Sequence, residues 1–249
     1  MLSSTLLGHY VPVTWLSFAL DYVLWGFRPF GFHLTNIVLH EITASLVCFL
    51  TTRLLARATA WPAATCAFGG VAAALPWGLH PLRVEAVSWA TGRRDVLSAF
   101  LLCLALGAWL MAINREGSSR RRWQSAAVAA YALALGAKSV VMMTPPAMVA
   151  LDVYPLRRLP LDVRRWHAPT VRAVWLEKIP FAIMAVLAAA TAIAAFHGHR
   201  LRGPGRARLA GEGPGEPGAA GVEDDGAARP VATLRVPAVG RLHHAPVLG

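Results

Sequence analysis

The chain alternates between long apolar runs and short polar segments. Three runs contain no Asp, Glu, Lys or Arg, and they occupy residues 58–82, 96–114 and 179–196. Each run approaches or reaches the roughly 20 apolar residues that an α-helix needs to cross the hydrocarbon core of a bilayer. The pattern therefore predicts three transmembrane helices.

Two other stretches extend this prediction. Residues 33–55 form a fourth apolar run, which contains the acidic residue Glu41. Residues 123–154 are divided by Lys138, and Pro145 interrupts the second half, so we expect two short helices there instead of one long helix. The predicted fold class is all-α: a polytopic membrane helical bundle with about six transmembrane helices.

The two ends of the chain differ from the predicted bundle. In residues 11–26 aromatic and other apolar side chains recur at steps of three and four, which predicts a helix lying in the membrane interface. The alternative is the exposed end of a helical bundle. Residues 197–249 are rich in Gly, Pro, Ala and Arg, and they hold too few large apolar residues to offset the loss of chain entropy, so a disordered tail is expected. The predicted organisation is an extracytoplasmic segment at 1–32, a bundle at 33–196 and a tail at 197–249.

The composition is typical of a membrane protein. Hydrophobic residues make up 56% of the chain and charged residues 15%, whereas soluble domains carry about 25% charged residues. Most of the basic residues behind the net charge of +11 lie in short loops on one side of the predicted helices, and the positive-inside rule makes that side cytoplasmic. We expect an integral multi-pass protein, in the plasma membrane if bacterial or the endoplasmic reticulum if eukaryotic, without a nucleic-acid partner. The three cysteines lack the spacing of metal ligands, so no metal site is predicted.

A charged, histidine-bearing loop at residues 80–95 separates two of the apolar runs. In the predicted topology this loop, residues 1–32 and the turn at Lys138 all lie at the non-cytoplasmic face. Ionisable groups beside the hydrocarbon region are costly unless they pair with one another or line a wet cavity. The loop is therefore a candidate functional site, and a plain topological loop is the alternative.

Short motifs follow one another in order through residues 8–196. They are YVPVTWLSF at 10–18, GFHLTN at 31–36, LH at 39–40, HP at 80–81, EAV at 85–87, GRRDVL at 92–97, KS at 138–139, TP at 144–145, LDVYPL at 151–156 and EKIPF at 177–181. In this order the motifs resemble those of the transmembrane and tetratricopeptide-repeat-containing O-mannosyltransferase family, including its bacterial relatives.

The resemblance implies a GT-C type membrane glycosyltransferase fold. Such an enzyme uses a lipid-phosphate-linked sugar as donor substrate to glycosylate a protein acceptor on the non-cytoplasmic side, and no cofactor is implied in the chain. Cations stabilise the charge that develops on a leaving phosphate. The expected donor-phosphate ligands are Arg83, Arg93, Arg94 and Lys138. The residues expected to line the cavity are His33, Asn36, His40 and His80. The candidates for a catalytic carboxylate are Glu85 and Asp95.

The chain departs from the family pattern in three ways. The family's first transmembrane helix and an acidic pair are expected before Tyr10, and further helices and the repeats are expected after Phe196. Val11 stands where relatives commonly show Arg. Because a carboxylate that accepts the proton of the acceptor hydroxyl contributes about 10² to 10⁴ in rate, the expectation is a partial glycosyltransferase that is inactive alone. A frame change near His199 and a missed upstream start would explain the departures.

Local structure offers alternative explanations for the same residues. Arg83 with Glu85, and Arg94 with Asp95, can form interfacial ion pairs, and exposed pairs contribute little stability. Asp95 can cap the helix that follows it. His33, Asn36 and His40 share one face of the fourth apolar helix, and hydrogen bonds between helices would explain their presence there.

Two other function classes remain open at this point. One is a non-catalytic membrane scaffold or a gene-fragment product. The other is a small transporter or channel in which Glu41 and Lys138 are pathway residues, although the sequence shows no inverted repeat.

Overall fold

The computed structural model describes residues 11–201, with side chains described for residues 11–194. This part of the chain is helical and contains no strand. Its α-helices are α1 Pro12–Trp25, α2 Pro29–Ala58, α3 Ala63–Gly78, α4 Pro81–Ser88, α5 Arg93–Ile113, α6 Gly117–Ala137, α7 Thr144–Val153, α8 Arg172–Leu176 and α9 Ile179–Leu201. Short 3₁₀ turns lie at Ala90–Gly92, Ser139–Met143, Val163–His167 and Pro169–Val171. The all-α prediction is confirmed.

Proline sets the start of several of these helices. α1, α2, α4 and α7 each carry Pro in their first two positions, where the missing N–H costs nothing because no helical carbonyl precedes it. α1 ends at Gly26, whose φ of 62° is a left-handed conformation that glycine adopts without strain. This glycine turns the chain directly from α1 into α2.

The core is built where α5, α6 and α9 meet beside α2. One face of α6 is fully buried, and it consists of Ala127, Tyr131, Ala134 and Ala137, spaced at three and four residues as a helical stripe requires. Small side chains on this stripe let α5 approach closely. The largest buried side chain is Trp109 of α5, and the core cluster also includes aromatic residues of α6 and α9.

The helix at residues 11–26 is confirmed as α1, and it packs on the bundle. Thr14 is buried and its hydroxyl donates a hydrogen bond to the Ala137 carbonyl across 3.2 Å. The opposite face of α1 exposes Leu16, Leu20 and Val23, the last to 78%. The helix therefore combines a contact with the bundle end and an outward apolar face, and its interfacial position stays a prediction.

The predicted break at Lys138 is confirmed, and the chain forms α6 before it and α7 after it. Pro145 does not kink a helix, because it lies in the first turn of α7. The loop at residues 80–95 differs from the prediction, since it contains the two-turn helix α4. The short α4 runs between α3 and α5 at the predicted non-cytoplasmic face.

Within the described residues, two helices are long and apolar enough to cross a membrane, Pro29–Ala58 and Ala90–Ile113. A third span is present if the pair Pro169–Leu176 and Ile179–Ala194, bent by 49°, crosses as one. About six spans were expected, and that number is not confirmed. α3 has 16 residues because Pro62 precedes it and the chain leaves the helix after Gly78, so it is about 24 Å long. The apolar helices indicate membrane association. Residues 1–10 and 202–249, with most of the predicted tail, lie outside the described residues.

The topology is testable because both polar ends of the bundle expose residues suited to labelling. With the three native cysteines replaced, we expect Ser88→Cys in α4 to react with a membrane-impermeant maleimide only from the extracytoplasmic side. Arg121→Cys near the start of α6 should react only from the cytoplasmic side. Both positions are exposed. Labelling of the two positions from the same side would contradict the topology.

Candidate functional site

A buried ion pair joins the first turn of α5 to α1. The Arg93 guanidinium donates to Asp21 Oδ2 at 2.5 Å, and the two side chains are 0% and 3% exposed. The same guanidinium donates to Asn36 Oδ1 and to the Phe32 carbonyl, the latter across 2.9 Å. It also lies 5.3 Å from the centre of the Phe18 ring. Arg93 is therefore surrounded by α1 and α2.

Asn36 extends this network to the segment that precedes α5. Its amide nitrogen donates to the carbonyls of Val87 and Trp89, across 3.2 Å and 3.1 Å. Thr35 completes the other end, because its hydroxyl donates to Asp21 Oδ1 across 2.9 Å. One connected network thus fixes α1, α2, α4 and the start of α5 relative to one another.

A second group of charges lies beside this network but is partly open to solvent. Lys138, at the break between α6 and α7, donates to Asp95 Oδ1, and Arg94 Nε lies 3.8 Å from Asp95 Oδ2. All three side chains are about one-third exposed. Arg83 lies beside them with its guanidinium 4.7 Å from the centre of the Trp77 ring. We call Arg83, Arg94, Asp95 and Lys138 the charged cluster.

Three cavities meet at the charged cluster. A cavity of about 620 Å³ is lined by residues that include Arg83, Glu85, Trp89, Thr91, Arg94 and Asp95. A cavity of about 330 Å³ shares Arg83 and Asp95 with it and adds Lys138, Ser98, Leu102 and Leu106. A third, of about 280 Å³, contains both Arg94 and Lys138. Residues of the cluster are thus shared between cavities whose walls combine charged and apolar side chains.

The structure separates the four predicted phosphate ligands into two environments. Arg94 and Lys138 approach Asp95, and Arg83 lines the same two cavities as Asp95. Arg93, in contrast, is buried and its charge is matched by Asp21. Arg93 and Arg94 are adjacent in sequence, so their side chains leave α5 in directions about 100° apart. Arg93 is in a position to hold the helix, and Arg94 is in a position to face a ligand.

The sequence offered ion pairing and helix capping as alternative explanations for Glu85 and Asp95, and the structure shows only some of these contacts. Asp95 lies in the first turn of α5, where an acidic side chain is favourable next to the helix N-terminus, but the cap position belongs to Gly92. Arg94 and Asp95 form the expected pair at 3.8 Å. Arg83 does not pair with Glu85 and stacks on Trp77 instead. Glu85 is exposed and lines the largest of the three cavities.

Three of the four predicted cavity-lining residues make structural contacts. His40 Nε2 lies 3.0 Å from the Gly78 carbonyl of α3, and its ring stacks on Trp77. Asn36 belongs to the buried network, and His80 Nδ1 accepts from the Leu82 backbone N–H at 3.2 Å and so caps α4. His33 is exposed. The contacts of Asn36 and His40 agree with the alternative explanation from the sequence, in which these side chains form hydrogen bonds between helices.

A third charge cluster at the predicted cytoplasmic end was not singled out by the sequence. Asp152, at the end of α7, is 0% exposed and accepts hydrogen bonds from Lys178 and Arg158. Arg158 also binds Glu177, across 2.7 Å, and Arg120 of α6 donates to the same carboxylate. The residues belong to the LDVYPL and EKIPF motifs and the loops beside them. The sequence did contain a signal for this cluster, because an aspartate at the end of an apolar run, such as Asp152, requires a cationic or hydrogen-bonding partner.

Among the described residues no group of three or more His, Cys, Asp and Glu side chains is arranged to hold a metal ion. The charged cluster and the nearby Glu85 together offer three cations and two carboxylates. The three cations outnumber Asp95 and Glu85 by one charge. A phosphate monoester or diester has the complementary charge and hydrogen-bond acceptors.

The chain is similar over about half of its length to several proteins whose names share one activity. Protein O-mannosyl-transferase Tmtc2 of Drosophila melanogaster is 35% identical over 136 residues, which are 54% of this chain and 13% of the relative. Tmtc3 of the same organism is 33% identical over 126 residues, 45% of this chain and 13% of the relative. Protein O-mannosyl-transferase TMTC2 of Homo sapiens is 30% identical over 125 residues, 48% of this chain and 14% of the relative.

These relatives carry the family name that the motifs suggest, so the resemblance predicted from the sequence is confirmed. The matched part of the chain covers 13% to 14% of the length of each of these relatives. No protein-family model matches the chain, and no solved structure matches it.

The buried ion pair between Arg93 and Asp21 predicts how single and double variants differ in their free energy of unfolding. Asp21→Ala leaves Arg93 as an uncompensated buried charge, and removal of one partner of a buried ion pair costs about 3–5 kcal/mol of unfolding free energy. The double variant Asp21→Leu, Arg93→Met removes both charges and should recover most of this loss. The measurement is denaturant unfolding in detergent micelles, followed by circular dichroism. Arg165→Ala breaks an exposed pair with Asp162 but leaves the Asp162 carboxylate that accepts from the Arg164 backbone N–H. It serves as the control, with an expected loss below about 1 kcal/mol.

Proposed function

We propose that residues 11–201 form the donor-binding part of a membrane glycosyltransferase, an O-mannosyltransferase that uses a lipid-phosphate-linked sugar. The observation that carries the proposal is the charged cluster, in which Lys138 and Arg94 approach the Asp95 carboxylate and Arg83 lines the same two cavities as Asp95. These two cavities meet at the cluster: one contains Glu85 and Thr91, and the other has an apolar wall that includes Leu102 and Leu106. An amphiphile with an anionic head has the shape and charge that this junction accepts. The names of the relatives supply the class of reaction.

The phosphate of the donor would displace the internal ion pair. Lys138 donates to Asp95, and its ammonium can turn to a phosphate oxygen because both side chains are partly exposed. Arg94 is already only loosely held, at 3.8 Å from Asp95. Arg94 offers planar, paired donors to phosphate and Lys138 a point charge, so together they neutralise the leaving phosphate as negative charge develops on it.

The lipid chain has a matching path along α5. Asp95, Ser98, Leu102 and Leu106 recur at three- and four-residue steps on one face of this helix and all line the 330 Å³ cavity. From Asp95 to Leu106 the helix rises about 16 Å, so the cavity leads from charged side chains to an apolar wall. A polyprenyl chain attached to a phosphate at Lys138 would follow this face.

The sugar would occupy the 620 Å³ cavity on the other side of the cluster. Trp89 exposes its ring there, and Thr91 and Glu85 contribute oxygen atoms. In the transfer step the acceptor oxygen forms a bond to the anomeric carbon, the bond from that carbon to the phosphate oxygen breaks, and the phosphate leaves with the electron pair. A carboxylate takes the acceptor proton, and Glu85 is the candidate in this chain that is free of an ion pair among the described residues.

The remaining parts of the proposal follow from the resemblance. They are the GT-C fold with about six membrane spans, a protein hydroxyl as acceptor, and a multi-pass position in the plasma membrane or the endoplasmic reticulum. The buried network around Arg93 contributes by holding α4 and α5, which carry Glu85, Arg94 and Asp95. Arg93 is thus proposed as a positioning residue and not as a phosphate ligand.

Binding of the donor head can be measured without catalysis. With the full chain in detergent micelles, we expect a short-chain isoprenyl monophosphate to bind, and Arg94→Ala and Lys138→Ala to weaken this binding about tenfold each, because each removes a charge-assisted hydrogen bond to phosphate. Arg165→Ala removes an exposed arginine at the other end of the bundle and should leave affinity unchanged. Calorimetric titration gives the constants. Equal affinity of all variants would favour the non-catalytic scaffold.

Asp95 gives a prediction of opposite sign. In Asp95→Ala, Lys138 loses its carboxylate partner and the cluster gains one net positive charge, so isoprenyl monophosphate should bind more tightly than to the parent chain. The corresponding isoprenyl alcohol, which lacks the phosphate, should show no such gain. Weaker phosphate binding to Asp95→Ala, in a variant that keeps its helical circular dichroism, would mean that Asp95 organises the site and does not compete with the ligand.

A further inference from the structure

Arg83 is held differently from the other two cations of the charged cluster. Lys138 and Arg94 approach the Asp95 carboxylate. The Arg83 guanidinium instead lies 4.7 Å from the centre of the Trp77 ring, and its side chain makes no hydrogen bond or ion pair with any other described residue. A guanidinium carries five N–H donors in one plane and stacks on an aromatic ring through its face. The contact with the ring therefore leaves the donors of Arg83 unused.

The Trp77 ring is itself fixed by α2. It stacks on the His40 ring, with the ring centres 5.3 Å apart and the two planes at 16°. His40 is buried, and its Nε2 lies 3.0 Å from the carbonyl of Gly78, the residue that follows Trp77 in α3. Because the imidazole contacts both the indole and the adjacent backbone, it limits the rotation of the indole. Trp77 is thus an ordered surface on which Arg83 can rest before any ligand binds.

The turn between α3 and α4 brings Arg83 back to Trp77. His80 Nδ1 accepts from the Leu82 backbone N–H at 3.2 Å, and the His80 carbonyl accepts from the Arg83 backbone N–H at 2.8 Å. The far end of α4 is held by the buried network around Arg93. The backbone of α4 is therefore fixed at both ends, and the ring fixes the direction of the Arg83 side chain.

We propose that Arg83 is the first ligand of the donor phosphate and that Trp77 is the positioning residue that holds it ready. This inference rests on the proposed donor site. Arg83 lines both of the cavities that contain Asp95, so its guanidinium borders the space on both sides of the cluster. A phosphate that binds Lys138 must first displace Asp95. A phosphate that binds Arg83 gains two parallel charge-assisted hydrogen bonds without breaking an ion pair.

The ring also lowers the entropic cost of binding. A long side chain loses rotamer freedom when a ligand immobilises it, and a side chain that is ordered beforehand loses less. Trp77 does not line the cavities that Arg83 lines, so it acts on a phosphate only through Arg83. The effect of Trp77 on phosphate affinity should therefore be present only while Arg83 is present.

The order of the cations can be measured by calorimetric titration of the full chain in detergent micelles with a short-chain isoprenyl monophosphate. We expect Arg83→Ala to weaken binding about 30-fold, against about tenfold for Arg94→Ala or Lys138→Ala, because no carboxylate competes for Arg83. Trp77→Leu should weaken binding about two- to fivefold, the range that a partly exposed cation–π contact gives. Trp77→Phe keeps an aromatic ring and should lose less. The corresponding isoprenyl alcohol, which lacks the phosphate, should bind all of these variants alike.

Two controls separate positioning from a general loss of structure. In a chain that already carries Arg83→Ala, Trp77→Leu should have no further effect on phosphate affinity, because a positioning residue acts only through its partner. Phe49→Leu removes a similar contact near the end of α2, where the Arg53 guanidinium lies 5.0 Å from the centre of the Phe49 ring. This variant should bind phosphate as the parent chain does. Circular dichroism confirms that each variant keeps its helices.

Chemical modification reports the position of Arg83 without any ligand. Phenylglyoxal reacts with accessible guanidinium groups, and mass spectrometry of the peptides gives the rate at each arginine. Loss of the ring in Trp77→Leu should raise the rate at Arg83 about two- to fivefold, in proportion to the contact that is lost. The rate at Arg165, an exposed arginine at the other end of the bundle, should stay the same.

Three outcomes would overturn the inference. The first is an additive effect of Trp77→Leu and Arg83→Ala on phosphate affinity, which would assign Trp77 to packing alone. The second is an Arg83→Ala variant that loses no more affinity than Arg94→Ala. The third is an unchanged modification rate of Arg83 in Trp77→Leu. Absence of phosphate binding by the parent chain would instead overturn the proposed function, and the modification rates would still show whether Trp77 holds Arg83.

Discussion

The ion pair between Arg93 and Asp21 is the interaction on which the arrangement of this face of the bundle depends. A guanidinium that is 0% exposed is tolerated only because a carboxylate, an amide oxygen and a carbonyl surround it, since an unpaired buried charge costs several kcal/mol. Satisfying those donors requires α1, α2 and the start of α5 to meet at one place. The positions of α4 and of the solvent-facing residues next to Arg93 follow from that meeting.

The bundle carries charge networks at both of its polar ends, and they differ in accessibility. The network of Asp152, Lys178, Arg158 and Glu177 is nearly closed to solvent and ties α7 to the start of α9. The charged cluster at the other end is one-third open. A closed network serves rigidity, whereas an open one leaves its cations available. This difference is what separates a structural element from a candidate binding site in the same molecule.

Most of the helices could be predicted from the sequence, whereas the partners of the charged side chains could not. Apolar runs and the interruption at Lys138 locate helices because periodicity and charge are local properties. The short helix α4 was missed. Pro81 at its first position is typical of a helix start, but the charged residues of this segment were interpreted as a loop. Arg93 and Arg94 were grouped together because nothing local distinguishes two adjacent arginines. Their separation depends on Asp21, 72 positions earlier. An aspartate within an apolar helix was the available clue to that partner.

The distance along the chain between Asp21 and Arg93 also has a consequence for biosynthesis. At about 5–20 residues per second, the ribosome needs on the order of 4 to 14 s to add the 72 residues that separate them. Until Arg93 has been added, the Asp21 carboxylate lacks its counter-ion. The contact between α1 and the start of α5 can therefore form only after synthesis has reached α5.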